Sequence, residues 1–284
     1  MYTLKIKNAL GEVYELTHNL KKYIVLRVDG LTPPKINVNT VKGSIHDGTF
    51  FNSASANARN IVITIQLAGE IEKNRAEIYR IFLLKKPCEI YFKNVNRDVK
   101  ITGYVEAIES DLFVAQEQMQ ISLICPRAYF EDVDETISDL STIYDRFSFA
   151  FSIEVDEPIP IAKISTVPVA NVINAGEVET GAVFVVTFRD ACSWVRLHSV
   201  TTGEDYGVTL VFAAGDVLTI NTNVGEKAVT LTRNSIDVNA INYLDDGSKW
   251  LQLQPGANVF SYTTSAGNDA AEIEIKSKNL YGGV

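Results

Sequence analysis

The stretch KGSIHDGTFF at residues 42–51 contains the residue types of a hydrolytic site. Ser44 would be the nucleophile, His46 the base, and Asp47 the carboxylate that orients the base. Serine hydrolases usually carry the nucleophile on a GxSxG elbow, and the sequence contains no such motif. Asp47-Gly48, by contrast, is a strong turn dipeptide, because glycine accepts positive φ at little cost. The sequence therefore favours a turn between two strands over a catalytic site.

Metal and cofactor chemistry also lacks its usual patterns. The three histidines are not spaced as HExxH, no CxxC occurs, and no cysteine lies close in sequence to a histidine. No GxGxxG or P-loop opens a helix. We therefore predict no metal, no cofactor, no disulfide and no enzymatic activity, in a chain made in a reducing cytoplasm with thiols buried as small hydrophobic groups. The residues concerned are His18, His46, His198, Cys88, Cys125 and Cys192.

Two acidic patterns also have structural interpretations. Asp245-Asp246-Gly247 lacks the alternating ligands and the terminal glutamate of an EF-hand loop, so a hairpin turn is the better interpretation. Glu106 and Glu109 lie along a predicted strand, where a solvated face is their expected place.

The two tryptophans offer a binding function. Trp194 and Trp250 would suit stacking on a sugar ring, which makes them candidate glycan contacts. Both lie in alternating segments, however, and this favours burial in a β-sandwich core.

Charge divides the chain into two halves. Residues 1–135 carry 17 Lys and Arg and 17 Asp and Glu, whereas residues 136–284 carry 9 and 18, which accounts for the whole net charge of −9. A difference of this kind indicates two domains. The acidic second half argues against nucleic-acid binding, which needs clustered cations. The sequence contains no run of 18 apolar residues, so it predicts no membrane-spanning helix. The alternating start MYTLKIK indicates a strand rather than a signal peptide.

One segment of the first half breaks a pattern that is otherwise of period two. Ile71, Ile78 and Phe82 recur at helical spacing, acidic residues come first, and Pro87 follows Lys85 and Lys86. We predict one helix over about 70–86. Strands are predicted over 22–28 and 60–67, and a hairpin pairs 99–109 with 117–125.

The second half has many short alternating strands separated by Gly-containing turns, which is typical of an all-β sandwich. An acidic stretch after Phe130 is the predicted linker. The predicted strands are 182–188, 194–198, 208–212, 217–221, 250–254, 258–262 and 270–278.

The order of these pieces resembles the distal tail proteins of long-tailed bacteriophages. In the first half the resemblance lies in VDGLTPPKINV, DGTFF, the Arg that precedes a strand in ARNIVITIQL, and the closing ISLICPRAYFED. Arg127-Ala128 departs from the acidic residue and second proline that many members have there. The signature residues are Gly30, Pro33, Pro34, Asp47, Gly48, Phe50, Arg59, Cys125, Pro126, Tyr129 and Phe130.

In the second half NAGEVETGAVFVVTF, AAGDVLTINT and WLQLQPGANVFSYT resemble the galectin-like C-terminal domain of these proteins. Asn221 stands where an Asp is expected, which weakens a role for charge there but leaves the fold. The resemblance implies a mainly β protein, with a ring-forming belt domain at 1–135 and a galectin-like sandwich at 136–284.

The function implied by the resemblance is structural. Six copies would form a homohexameric ring at the virion tail tip, between the tail tube protein and the tail-tip or baseplate protein, with DNA passing through the channel. The galectin-like domains would project outward and could hold receptor-binding proteins, without membrane insertion. A contractile bacteriocin-like particle would use a similar part. The alternative hypothesis is a carbohydrate-binding module for host surface glycans.

Overall fold

The computed structural model describes residues 2–17, 20–43, 47–114, 116–140 and 169–284. The chain divides into two compact units: unit 1 combines Met1–Asp134 with Asn279–Val284, and unit 2 is Glu135–Lys278. Divided in this way, unit 1 carries 17 basic and 16 acidic residues and unit 2 carries 9 and 19, net charges of +1 and −10. In the described residues no helix is long and apolar enough to cross a membrane.

Unit 1 is an antiparallel β unit with one α-helix. Its nine-stranded sheet has the order β2-β1-β7-β8-β9-β6-β3, with β10 paired to β8 and to β21. β4 and β5 form a separate two-stranded ribbon. The elements are β1 (Thr3–Lys7), β2 (Val13–Glu15), β3 (Tyr23–Asp29), β4 (Ile36–Val41), β5 (Phe50–Ala56), β6 (Arg59–Leu67), α1 (Ile71–Ile81), β7 (Pro87–Lys93), β8 (Asp98–Ser110), β9 (Gln118–Cys125), β10 (Phe130–Asp132) and β21 (Leu280–Tyr281).

The core of unit 1 lies inside this one sheet. Alternate residues of the strands point inward, so that Ile6 of β1 and Ile65 of β6 belong to the same buried cluster although their strands lie far apart in the sheet. Helix α1 contributes Ile78 and Ile81 to the same cluster.

The helix is shorter than the sequence predicts. It spans Ile71–Ile81 instead of about 70–86, because Phe82 leaves helical geometry with φ −99° and Lys85 takes a positive φ of 62°. Glu72 lies in the first turn and Arg80 in the last, which suits the helix dipole. Lys85 and Lys86 lie beyond the helix, so the predicted helix, which placed them in its last turn, was wrong at this end.

Unit 2 contains two antiparallel sheets, with the orders β11-β20-β13-β16-β17-β18 and β12-β19-β14-β15. Two short 3-10 helices lie at Ile241–Tyr243 and Asn268–Ala270. The strands are β11 (Thr136–Asp139), β12 (Val169–Asn174), β13 (Ala182–Phe188), β14 (Val195–Ser199), β15 (Glu204–Val208), β16 (Val217–Asn221), β17 (Ala228–Arg233), β18 (Ile236–Asn239), β19 (Gly256–Thr264) and β20 (Ala271–Ser277).

Residues from both sheets of unit 2 share one buried cluster, as the predicted sandwich requires. Aromatic pairs fix the packing: Phe188 stacks on Phe212 at 4.0 Å between ring centroids, and Phe184 meets Phe260 edge-on at 5.6 Å.

Two predicted strands of unit 2 are absent from the described sheets. Residues 208–212 and 250–254 are mostly loop, held by isolated bridges at Cys192–Phe212, Thr180–Leu253 and Val208–Leu244. Their alternate residues are nevertheless buried, including Phe212, Leu251 and Leu253. The alternation of apolar and polar residues in these segments reflects which side chains are buried. A segment can bury alternate side chains without pairing as a strand.

The ends of the two units differ from the predicted division in one respect. The prediction ran the second domain to residue 284, whereas residues Asn279–Val284 pack with unit 1. The reason is pairing: β21 joins β10, and Asp132 N donates to Asn279 O at 3.1 Å. The acidic stretch predicted as a linker contributes β10 to unit 1 and β11 to unit 2. The remainder of the connection, 141–168, lies outside the described residues.

Candidate assembly surface

Arg59 is the most heavily bonded residue of the predicted signature. It opens β6, and only 4% of its surface is exposed. Its Nε donates to Ala128 O at 2.8 Å and its Nη1 to Thr32 O at 2.8 Å. Nη1 also donates to Gly30 O, and Nη2 donates to Gly282 O. Burial lowers the pKa of this guanidinium, which Cys125 and Tyr129 oppose, but an arginine remains charged at any pH at which proteins fold.

The ring of Phe130 completes the surroundings of Arg59, since its centroid lies 4.5 Å from the guanidinium carbon. We call Arg59 and the groups that it contacts (Gly30, Thr32, Ala128, Phe130 and Gly282) the Arg59 cluster. A buried charge is tolerated only when its hydrogen-bonding groups are satisfied, and here backbone carbonyls satisfy them. The cluster therefore joins three segments that are distant in sequence.

Gly30 shows how closely these segments approach one another. Its φ is +84°, and an added Cβ would lie 2.1 Å from Asn60 O, beside Arg59. Only glycine fits both the backbone conformation and the space. Gly283 is similarly tight, because an added Cβ would lie 3.0 Å from Pro33 Cδ.

Further bonds hold the returning segment 279–284. Val284 N donates to Leu31 O at 3.1 Å, and Arg97 donates to Gly283 O while lying 4.4 Å above the ring of Tyr281. The Tyr281 hydroxyl reaches Asp132, as does the amide of Asn279. The segment is thus bonded along its length to unit 1.

The closing signature lies where the sequence predicts a strand end. β9 ends at Cys125 and Pro126 is exposed just after it. Phe130 is fully buried in the core of unit 1, whereas Tyr129 is half-buried. Burial raises the pKa of the Cys125 thiol to about 11, although Arg59 lowers it, so this cysteine is an unreactive core residue.

Asp47, Gly48 and Phe50 belong to a different place, the β4–β5 hairpin. Gly48 has φ +93° in the loop that joins the two strands, which agrees with the predicted turn. Ser44 and His46 lie outside the described residues. Every residue of β4 is exposed and so is nearly all of β5. The structure therefore places some signature residues in or beside the Arg59 cluster, including Gly30 and Phe130, and others in the exposed hairpin, including Gly48 and Phe50.

The predicted glycan contacts belong to unit 2. Trp194 and Trp250 are half-buried rather than core residues. Arg196 lies 5.1 Å from the Trp194 ring and Lys227 lies 5.4 Å from the Trp250 ring, so a cation already occupies a face of each indole.

The acidic candidates make local contacts. Asp245 accepts from Thr209 Oγ1 at 2.5 Å and from Arg196 Nε at 3.2 Å, and it fills the space above Gly207. Gly247 turns with φ +84°, so 245–247 is a turn within a loop rather than a two-stranded hairpin. Glu106 accepts from Ser122 Oγ at 2.8 Å on the outer face of the sheet, and Glu109 is exposed.

The remaining titratable residues form no metal site among the residues described. No group of three His, Cys, Asp or Glu residues is placed to hold an ion there. His198 Nδ1 lies 2.7 Å from Asp205 Oδ1, directly across the β14–β15 pair. The cysteines are free and buried.

Comparisons with known proteins find similarity to phage tail proteins, in part of unit 2 by a family model and over the whole chain by structure. Residues 175–278 match a family model described as the siphovirus-type tail component, C-terminal domain. No curated protein matches the chain. Among solved structures, the Dit (gp 19.1) protein of phage SPP1 superposes with a TM-score of 0.69 at 14% identity and covers 99% of both chains. It is described as a paradigm of the hub adsorption apparatus in phages that infect Gram-positive bacteria.

Chains of the phage P2 baseplate in its activated conformation, with calcium or with strontium, each superpose with a TM-score of 0.53 at 12% identity. Each covers 97% of this chain and 98% of its own length. Within unit 2, residues 175–278 are thus similar to the C-terminal domain of siphovirus-type tail components. The chain as a whole has the fold of the SPP1 Dit protein, and the resemblance found in the sequence is confirmed.

Sequence reasoning missed the partners of Arg59. Gly30, Thr32, Ala128 and Gly282 contribute backbone carbonyls, which leave no trace in side-chain patterns. The hairpin did carry a signal, because INVNTV and NSASA alternate with period two.

Proposed function

We propose that this protein is a structural hub of a phage or prophage tail tip. Six copies form a ring through unit 1, and the ring joins the tail tube to the baseplate or tail-tip protein. The observation that carries this proposal is the family match of residues 175–278 together with a superposition on the SPP1 Dit hub protein over 99% of the chain.

The surfaces of the two units support this division of roles. Unit 1 has a net charge of +1 and leaves six aromatic side chains exposed, whereas unit 2 has a net charge of −10 and leaves one exposed among its described residues. Copies in contact through unit 1 face little mutual repulsion and bury apolar surface. The exposed aromatic residues of unit 1 are Tyr2, Phe50, Phe51, Tyr79, Tyr104 and Phe113.

The proposal extends to partners and place. The tail tube protein and the baseplate protein bind the ring, receptor-binding proteins are held at the same structure, and DNA only passes through. The protein is made in the bacterial cytoplasm and acts in the virion tail. Its role is structural rather than catalytic.

Glycan binding by unit 2 is the alternative. The half-exposure of Trp194 and Trp250 favours it, while Arg196 and Lys227 over their rings oppose it. Fluorescence distinguishes the two: a structural role predicts that acrylamide quenches these indoles and that host surface glycans leave their emission unchanged. A saturable change with glycan would support the alternative.

Native mass spectrometry with negative-stain images of the same sample tests the ring. We expect a closed six-membered ring with an open centre. A chain that stays monomeric at the highest soluble concentration, and also with the tail tube protein added, would contradict the ring.

A further inference from the structure

We propose that the apolar face of the β4–β5 hairpin is a docking surface for unit 1 of a second copy of this chain. The inference rests on the proposed ring and assigns part of its interface.

The hairpin is amphipathic. Residues directly opposite in an antiparallel pair lie on the same face, so register decides the composition of each face. Ile36 pairs with Ala56, Val38 with Ala54, and, after a bulge, Thr40 with Phe51. These six residues form the apolar face.

The other face is polar and internally bonded near the base of the hairpin, whereas Val41 pairs with Phe50 on it near the loop. Asn37 lies opposite Ser55, and Asn39 opposite Ser53. Asn39 Nδ2 donates to Ser53 Oγ at 3.0 Å, and Asn37 Nδ2 donates to Asn57 Oδ1 at 2.9 Å. The base of this face satisfies its own polar groups while it is exposed to water. Val41 and Phe50, which are 56% and 60% exposed, add apolar surface only near the loop.

The apolar face exposes large side chains that a partner could cover. Ile36 is 41% exposed, Val38 58% and Phe51 68%. An isolated two-stranded hairpin is marginal in water unless an apolar face packs on something else. A contiguous apolar surface of this kind marks an interaction site.

The occupant follows from size and charge. The six residues of β4 and seven of β5 are uncharged. A stable interface uses about 20–30 residues a side, so the six residues of the apolar face supply roughly a quarter and the rest must come from other surface. Unit 1 can supply this additional surface, because further large apolar residues are exposed there outside the hairpin. They include Leu26, Tyr79, Tyr104 and Phe113.

The charge balance favours the same partner. Unit 1 is nearly neutral and unit 2 is strongly acidic, so copies approach through unit 1 at the lowest electrostatic cost. An interface of this heterologous kind, hairpin to a different surface, closes into a ring when its rotation closes.

The Arg59 cluster fixes the base of the hairpin. The chain enters the ribbon from Thr32, whose carbonyl accepts from Arg59 Nη1, and leaves it through Asn57 and Ala58 into Arg59 itself. One buried guanidinium thus holds both stems. An arm that is already positioned loses less entropy on docking.

The test compares Ala54→Asp with Ser55→Asp in the full-length protein. The two residues are adjacent, small and exposed, and they lie on opposite faces of β5, so both variants add one negative charge at nearly the same place. We expect Ala54→Asp to raise the dissociation constant of assembly at least about tenfold, because it places an unpaired charge in an apolar contact. Ser55→Asp should change it less than about threefold. Sedimentation across a concentration series measures both constants.

Hydrogen–deuterium exchange gives an independent readout. Amides of 36–41 and 50–56 should exchange more slowly in assembled wild-type protein than in dilute monomer, and this protection should be lost in Ala54→Asp. Circular dichroism confirms that each variant is folded.

The outcomes separate the hairpin from the ring. If wild-type protein forms rings and Ala54→Asp forms them equally well, with hairpin amides unprotected, the docking proposal is wrong and the ring stands. Such a result would leave the apolar face to a different tail protein. A wild-type chain that never self-associates would overturn both.

Discussion

The two units have buried cores of similar size but differ in the composition of their surfaces. Among the described residues, the buried cluster has 21 members in unit 1 and 26 in unit 2. The core of unit 1 is rich in isoleucine from one sheet and helix α1, whereas unit 2 packs aromatic rings between two sheets. Outside the core, unit 1 has an exposed amphipathic ribbon, while unit 2 has a strongly acidic surface.

The two units should therefore differ in the interactions on which their stability depends. Unit 2 encloses its buried cluster between its own two sheets, so the stability of that core should depend little on neighbours, although side chains such as Val211 and Val224 stay exposed. Unit 1 closes part of its structure by long-range bonds to residues 279–284 and leaves the apolar face of its hairpin exposed. We therefore expect substitutions in the Arg59 cluster to weaken unit 1 and leave unit 2 unchanged.

The largest effect is expected for Arg59→Met. The change leaves up to four buried carbonyl groups without a donor, and losing one side of a buried charged network typically costs about 3–5 kcal/mol. Urea unfolding should show that loss, and hydrogen exchange should assign it to unit 1. Arg27→Met is the matched control, because Arg27 lies in the same unit with an exposed ion pair to Asp29. Equal losses in the two variants would contradict the structural role given to Arg59.

A smaller loss is expected for Gly30→Ala, compared with Gly11→Ala. Both glycines have φ +84°, but an added Cβ meets nothing within 4 Å at Gly11 and meets Asn60 O at 2.1 Å at Gly30. The backbone term alone costs about 1–2 kcal/mol. Gly30→Ala should cost at least about 1 kcal/mol more than that, because backbone must also shift. Thermal unfolding of both variants measures the difference. Equal melting temperatures would show that the backbone of the Arg59 cluster shifts at little cost in free energy.

Local pattern predicted much of the fold. The β8–β9 hairpin, β16 and β20 follow from alternation, since one face of each strand is buried and the other is mostly polar. Strand β13 follows instead from its continuous apolar, β-branched run. The turn at Gly48 follows from glycine chemistry. These features depend on neighbours in sequence, which a single chain displays directly.

What escaped prediction depends on residues far apart in sequence. Arg59 and Gly282 are separated by 223 positions, and nothing in NLYGGV indicates that it pairs with β10. The segments 208–212 and 250–254 show the opposite error, because their alternation reflects burial under neighbouring loops rather than strand pairing. The composition of a surface could be predicted here, but its long-range partners could not.

The smallest effect concerns acid sensitivity and distinguishes the polar surface of unit 1 from its core. Glu89 accepts from Lys7 Nζ at 3.0 Å, Lys100 Nζ at 3.2 Å and Tyr91 OH at 2.8 Å. Partial burial raises the pKa of its carboxyl, but the hydrogen bonds from Tyr91 and Lys7 and the charge of Lys100 outweigh burial and hold the pKa at about 2.

A pKa below the ordinary 4.5 means that the folded state favours the charged form. The resulting stability is fully present above pH 4.5 and is lost as the pH falls through 4.5 towards 2. After allowance for solvent screening we expect a contribution of about 2 kcal/mol or less. Glu89→Gln should therefore lower the stability of unit 1 at pH 7 and flatten its loss between pH 4.5 and 2, as followed by urea unfolding at each pH. A variant whose stability runs parallel to wild type over that range would show that other carboxylates govern the acid response of unit 1.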